Sequence, residues 1–122
     1  WSPGKPKPFL DENGRPLVGS ISEKVFVNIN GLQQGMFTRS KDETNPVLLF
    51  LHGGPGMPEY FLTQRYPTGL ENYFTVVWWE QRGAGLSSHA NIPPETRSHY
   101  PSHGCHCVTK LCTILVLARP AT

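Results

Sequence analysis

Apolar residues along this chain gather in a few short runs with two different periods. From Ile21 to Asn30, Val25, Val27 and Ile29 alternate with Lys24, Phe26 and Asn28, the two-residue period of a strand with one face toward water. Asn30-Gly31 follows, a pair suited to a tight hairpin turn, and a second strand is predicted from about Gln33 to Arg39, antiparallel to the first. Ser40 to Asn45 is polar and reads as a loop. The next run, Val47-Leu48-Leu49-Phe50-Leu51, has five consecutive apolar residues and no alternation. It is too short for a typical helix and suits a strand buried on both faces. It ends abruptly in His52-Gly53-Gly54-Pro55-Gly56, a turn whose glycines admit backbone conformations that other side chains forbid.

Pro58 stands where a helix can begin, since the missing N–H of proline costs nothing in a first turn. Glu59 to Tyr66 fits a short helix that Pro67 stops. Phe74 to Glu80, Phe-Thr-Val-Val-Trp-Trp-Glu, is β-branched and aromatic and predicts another strand. It runs into Gln81-Arg82-Gly83-Ala84-Gly85-Leu86-Ser87-Ser88, a second glycine-dependent turn. Two strands separated by a helix form a βαβ unit and must pair in parallel. Loops at the C-terminal ends of parallel strands are where α/β proteins place ligand chemistry. The turns at 52–56 and 81–88 are therefore the candidate site.

Composition narrows this picture. At 122 residues and 38% hydrophobic content the chain suits one modest domain without a large core. A net charge of +2 gives no electrostatic reason to expect nucleic acid or an anionic membrane surface as partner. Of the 12 prolines, Pro3, Pro6 and Pro8 stand at the start, so residues 1–20 are expected to be a proline-rich tether ending in a turn around Asn13-Gly14. The chain begins at Trp1 with no signal-like segment, and the C-terminal apolar stretch Thr113 to Ala118 is too short to span a bilayer. Neither observation assigns a compartment; a cytoplasmic protein and one tethered to a membrane by an upstream segment are both compatible.

The two turns together resemble those of the α/β-hydrolase fold, and within it the proline iminopeptidase-like serine peptidases. The resemblance rests on His52-Gly53-Gly54-Pro55-Gly56 after one buried strand and Trp79-Glu80-Gln81-Arg82-Gly83-Ala84-Gly85-Leu86-Ser87 after the next, and it extends over residues 21–96. It implies an α/β fold, the N-terminal part of a hydrolase sheet: an antiparallel pair followed by a parallel βαβ unit. It also implies a peptide or a small amide or ester as substrate of the full-length relative, cleaved at the N-terminal residue through a serine acyl-enzyme with no cofactor or metal. The Gly54 N–H, with Gly53 beside it, takes the role of oxyanion-hole donor. That role requires an amide about 3 Å from the developing charge, unobstructed by a Cβ. His52, Pro55, Gly56, Glu80, Gln81, Arg82, Gly83 and Gly85 are carried over as loop support. The family has Asp where this chain has Glu80, which keeps the charge on a side chain one methylene longer.

A serine hydrolase also needs a G-x-S-x-G elbow followed by an acid and a histidine. Gly85-Leu86-Ser87-Ser88-His89 lacks the last glycine, and Ser102-His103-Gly104 follows no buried strand. No nucleophile, acid or base is identified, and His89, His99, His103 and His106 are poorly placed for a base. From residue 97 the composition shifts, with three of the five histidines and all three cysteines between His99 and Cys112. Pro101 and the lack of helical periodicity set residues 97–122 apart as a tail unrelated to the family. A zinc site from His103, Cys105, His106, Cys107 and Cys112 is disfavoured, because Cys105 and Cys107 are one residue apart and no second pair stands at ligand spacing.

Simpler roles fit the remaining candidates. His52 supports its loop, Arg82 ties loops together through its five donors, and Glu59 and Glu80 are solvated or loop-bracing carboxylates. Trp78 and Trp79, adjacent on one strand, face opposite sides, so at most one can line a pocket. The chain is therefore expected to lack activity of its own. The strand Val47–Leu51, without the neighbour that the family supplies, leaves an unpaired edge, and the alternative to a hydrolase is a non-catalytic fragment or interaction module that uses this edge to pair with another chain or to self-associate.

Overall fold

The computed structural model describes residues 4–52 and 59–88. Four strands form one mixed sheet: β1 (Ile21–Ile29), β2 (Leu32–Ser40), β3 (Val47–Leu51) and β4 (Thr75–Trp79). A single short helix, α1 (Tyr60–Arg65), and two 3₁₀ turns, Leu70–Asn72 and Gly85–Ser87, complete the regular structure among the described residues. The spatial order is β1-β2-β4-β3. β1–β2 and β2–β4 are antiparallel, and β3–β4 is parallel. This is a partial α/β-type arrangement, a mixed four-stranded sheet with little helix.

The Asn30-Gly31 pair closes the first hairpin as its residue types predict. Both have positive φ, +53° and +78°, and Ile29 pairs with Leu32 across the two-residue loop. Positive φ at both central positions gives the turn a twist that matches the right-handed twist of the strands it joins. Element ends differ from the expectation by one residue. β2 starts at Leu32 and runs to Ser40, because the two-residue hairpin sets the register. α1 starts after Glu59 and ends before Tyr66. Phe74 falls outside β4 because its N–H bonds to the Leu70 carbonyl at 2.9 Å and so closes the preceding turn.

Alternation along the strands divides the core into two faces. Ile29, Met36, Val77 and Trp79 are buried on one, with Val25, Val27, Val47 and Leu49 packed against them. Phe37, Tyr60, Val76, Trp78 and Leu86 are buried on the other, which α1 and the 3₁₀ turns cover. On that second face the Phe37 and Tyr60 rings stack at 3.9 Å, and Trp78 meets Tyr60 edge-on at 5.3 Å. β4 is buried along its whole length, as a continuous apolar strand between two neighbours should be. β3 is only half-buried and lies at one end of the strand order.

The segment before β1, expected as a tether, is anchored to the sheet. A turn at Asp11–Arg15 is held by the Asp11 carboxylate, which accepts the N–H groups of Asn13 and Arg15, both at 2.9 Å. Gly14 supplies the positive φ at that turn. The Phe9 ring lies 4.4 Å from the Arg39 guanidinium, which also faces Glu71 at 3.9 Å. Ser22 fastens the same segment by donating to the Lys7 carbonyl at 2.7 Å.

Candidate functional site

Parallel pairing of β3 with β4 brings His52 and Glu80, the residues that follow the two strands, out at the same end of the sheet. Gly53, Gly54, Pro55 and Gly56 lie outside the described residues. The flanking geometry is defined by His52, the first residue after β3, and by residues 80–88 after β4.

His52 links the turns. Its Nε2 accepts the Gln81 N–H at 3.1 Å across 29 residues of sequence. A nitrogen that accepts carries no proton, so in this arrangement a neutral imidazole keeps its hydrogen on Nδ1. The contact ties His52, at the end of β3, to the backbone that follows β4.

Glu80 is the buried centre of the second turn, with 2% of its surface exposed. Its Oε2 accepts the Leu86 N–H, and its carbonyl accepts the Ser87 hydroxyl. Burial pushes the Glu80 carboxyl above its ordinary range; the Leu86 N–H works in the opposite direction without cancelling the shift. The side chain turns back under the loop and fills the space beside Gly85. There φ is +38°, and a Cβ would come within 2.7 Å of Glu80 Cδ. Glycine at 85 is thus required twice, by its dihedral and by the carboxylate beneath it. Gly83, at φ +84°, admits the other sharp bend.

Ser87 is fully buried, and its hydroxyl both donates to the Glu80 carbonyl and accepts the Gly35 N–H at 2.8 Å. A hydroxyl committed in this way is a structural bolt between the turn and β2, not a nucleophile. Sequence reasoning did not find this link, because its two ends are 52 residues apart. Gly35 itself was the available signal: a glycine inside a strand often marks close backbone approach, and here a Cβ would meet Leu86 Cδ1 at 2.9 Å. Arg82, expected to tie loops together, has a buried Nε without a hydrogen-bond partner among the described residues.

Trp78 and Trp79 separate as adjacent strand residues must. Trp79 donates from Nε1 to Gln34 Oε1 at 3.0 Å on one face. Trp78 lines a cleft of about 250 Å³ on the other, together with Phe50, Glu59, Leu62, Tyr66 and Leu70. This cleft lies between α1 and the sheet face that carries Phe50 and Trp78. Among the described residues no group of His, Cys, Asp and Glu could hold a metal ion, and no helix is long and apolar enough to cross a membrane. The cysteine- and histidine-containing segment 97–122 lies outside the described residues.

The chain is 49% identical over 72 residues to the probable aminopeptidase YbaC of Bacillus subtilis (strain 168). Nearly half of the aligned residues are the same. The match takes in 59% of this chain and 23% of YbaC, so the chain corresponds to less than a quarter of that relative. No family model matches the chain, and no solved structure does.

Proposed function

We propose that this chain is the N-terminal part of an aminopeptidase-like hydrolase of the α/β-hydrolase fold, of the proline iminopeptidase type. In this reading it carries the oxyanion side of the site without the nucleophile. The observation that carries the proposal is the 49% identity to a probable aminopeptidase, combined with the His52–Gln81 hydrogen bond that joins the C-terminal ends of the parallel strands β3 and β4. The Gly54 N–H, with Gly53 beside it, faces the carbonyl oxygen of an N-terminal aminoacyl amide or ester. His52, Pro55, Gly56 and the Glu80-Gln81-Arg82-Gly83-Ala84-Gly85 turn hold that amide in place. Removing such a donor costs about 3 kcal/mol of transition-state stabilisation, a large aid to catalysis but not a substitute for a nucleophile.

Two experiments test the proposal. A fluorophosphonate probe is expected to leave the purified chain unlabelled; a labelled serine would contradict the absence of a nucleophile. A chimera in which the residues of this chain replace the matching 72 residues of YbaC tests the aminopeptidase assignment. A folded chimera should release N-terminal residues from aminoacyl amides. Gly54→Pro, which removes the donor, should lower its kcat on the order of 100- to 1000-fold. A folded chimera with no aminopeptidase activity, or one indifferent to Gly54→Pro, would overturn the assignment.

A further inference from the structure

Residues 9–17 fold back on themselves before the sheet begins. The Asp11 N–H bonds to the Arg15 carbonyl at 2.8 Å and the Leu17 N–H to the Phe9 carbonyl at 2.9 Å, with Leu10 and Pro16 bridged between them. This small hairpin presents the Phe9 ring to Arg39 as a fixed part rather than as one conformer of a loose chain. On either side of it the backbone is fastened again. The Lys7 carbonyl accepts the Ser22 hydroxyl at 2.7 Å, and the Gly19 carbonyl accepts the Glu43 N–H at 2.7 Å. Little apolar surface backs these bonds: Pro6 is buried, but Leu10 and Val18 are 56% and 96% exposed. A segment held by a ring and a few hydrogen bonds can leave and return without unfolding the sheet.

Arg39 connects that segment to the elements that cover the second face. Its side chain is 12% exposed, and its guanidinium has the Phe9 ring at 4.4 Å and the Glu71 carboxylate at 3.9 Å. A cation so little exposed to water depends on such neighbours, so losing one changes its hold on the other. Glu71 belongs to the 3₁₀ turn Leu70–Asn72, and its carbonyl accepts the Lys41 N–H at 2.9 Å. Burial raises the pKa of the Tyr60 hydroxyl and the Arg39 guanidinium acts against that rise, so the same cation also reaches the first residue of α1. The 3₁₀ turn and α1 wall the cleft through Leu70 and Leu62.

We infer that residues 4–20 are a strap that sets the order of α1 and of the 3₁₀ turn through Arg39. Docked, the strap seats Phe9 on the guanidinium and fixes it toward Glu71 and Tyr60. Released, it frees Arg39 to turn to water, and the 3₁₀ turn and α1 loosen while the four-stranded sheet stays formed. The coupling works in both directions, as any coupling between equilibria must. The cleft walled by Leu62 and Leu70 is thus ordered by a segment that does not line it.

Amide hydrogen exchange of the full chain, read residue by residue, tests the strap. Phe9→Ala should release it, so that the Leu17 and Glu43 amides exchange on the order of tenfold faster. The Lys41, Phe74 and Tyr66 amides, which bond to the carbonyls of Glu71, Leu70 and Leu62, should speed up with them. The Glu80 amide, bonded to the Gly35 carbonyl at 3.0 Å, should keep its rate and so report an intact sheet. Phe9→Tyr keeps an aromatic face for Arg39 and should restore the native rates. Glu71→Gln, made outside the strap, should in turn speed the Leu17 amide. Release of Leu17 and Glu43 with Lys41, Phe74 and Tyr66 unchanged would overturn the inference, because the strap would then be a passive appendage. So would an unchanged Leu17 amide in either Phe9→Ala or Glu71→Gln, or failure of Phe9→Tyr to restore the rates. Equal acceleration of the Glu80 amide would also overturn it, by making the segment part of the core.

Discussion

Gly85→Ala is the sharpest single test of how the second turn is built. Two costs combine at this position. The residue sits at φ +38°, where an L side chain costs about 1–2 kcal/mol. Its Cβ would also reach 2.7 Å from Glu80 Cδ, and relieving that overlap in a packed turn costs about 1–3 kcal/mol more. The sum is about 2–5 kcal/mol, a large part of the roughly 5–15 kcal/mol by which domains are stable. Gly31→Ala is the control. It has a comparable positive φ of +78° but open space around the added methyl, so only the dihedral cost applies. Urea denaturation followed through Trp78 and Trp79 fluorescence should place Gly85→Ala below Gly31→Ala by about 1–3 kcal/mol. Adding Glu80→Asp, which withdraws the carboxylate by one methylene, should recover part of that difference, with a coupling energy of roughly 0.5–3 kcal/mol. Equal destabilisation by the two alanines, or strict additivity with Glu80→Asp, would refute the account of Glu80 and Gly85 as one packed unit.

Glu80 also predicts a pH effect with a definite sign. Burial raises its pKa above the ordinary 4.5, so the folded state holds this proton more tightly than the unfolded chain. The stability from the neutral carboxyl is fully present below pH 4.5 and is lost as pH rises through the folded-state pKa. Glu80→Gln should therefore flatten the fall in urea midpoint between pH 4.5 and neutrality relative to the native protein, and a steeper fall would reverse the assignment. His52→Phe leaves the Gln81 N–H without its acceptor and should cost about 1 kcal/mol while speeding exchange of that amide. His52→Gln, which offers an oxygen near the position of Nε2, should restore part of the protection. Equal exchange rates in the two variants would show that the imidazole is not the acceptor that matters.

Much of the architecture is legible in the chain because it rests on local rules. Asn30-Gly31 specifies a two-residue hairpin through its dihedral preferences, and the alternation from Val25 to Ile29 shows which side of β1 faces the core. The unbroken run Val47–Leu51 and the aromatic β-branched run around Val76–Trp79, separated by one short helix, require parallel pairing because no shorter connection can join them. The candidate site was legible to the same depth: glycine-rich turns at two strand ends, and an acid, Glu80, in the second.

What tertiary structure decided is everything that depends on residues distant in sequence. Nothing local to Ser87 shows that its hydroxyl is committed to Gly35, or that His52 accepts the Gln81 N–H. Nothing local to Glu80 shows that its longer side chain folds inward beneath Gly85 and is pushed toward its neutral form by burial. The proline-rich start looks like a free tether until Phe9 is seen against Arg39, whose own partner Glu71 lies beyond β3 and α1. Periodicity reports which side of an element is apolar. It takes the sheet order β1-β2-β4-β3 to determine which polar groups meet.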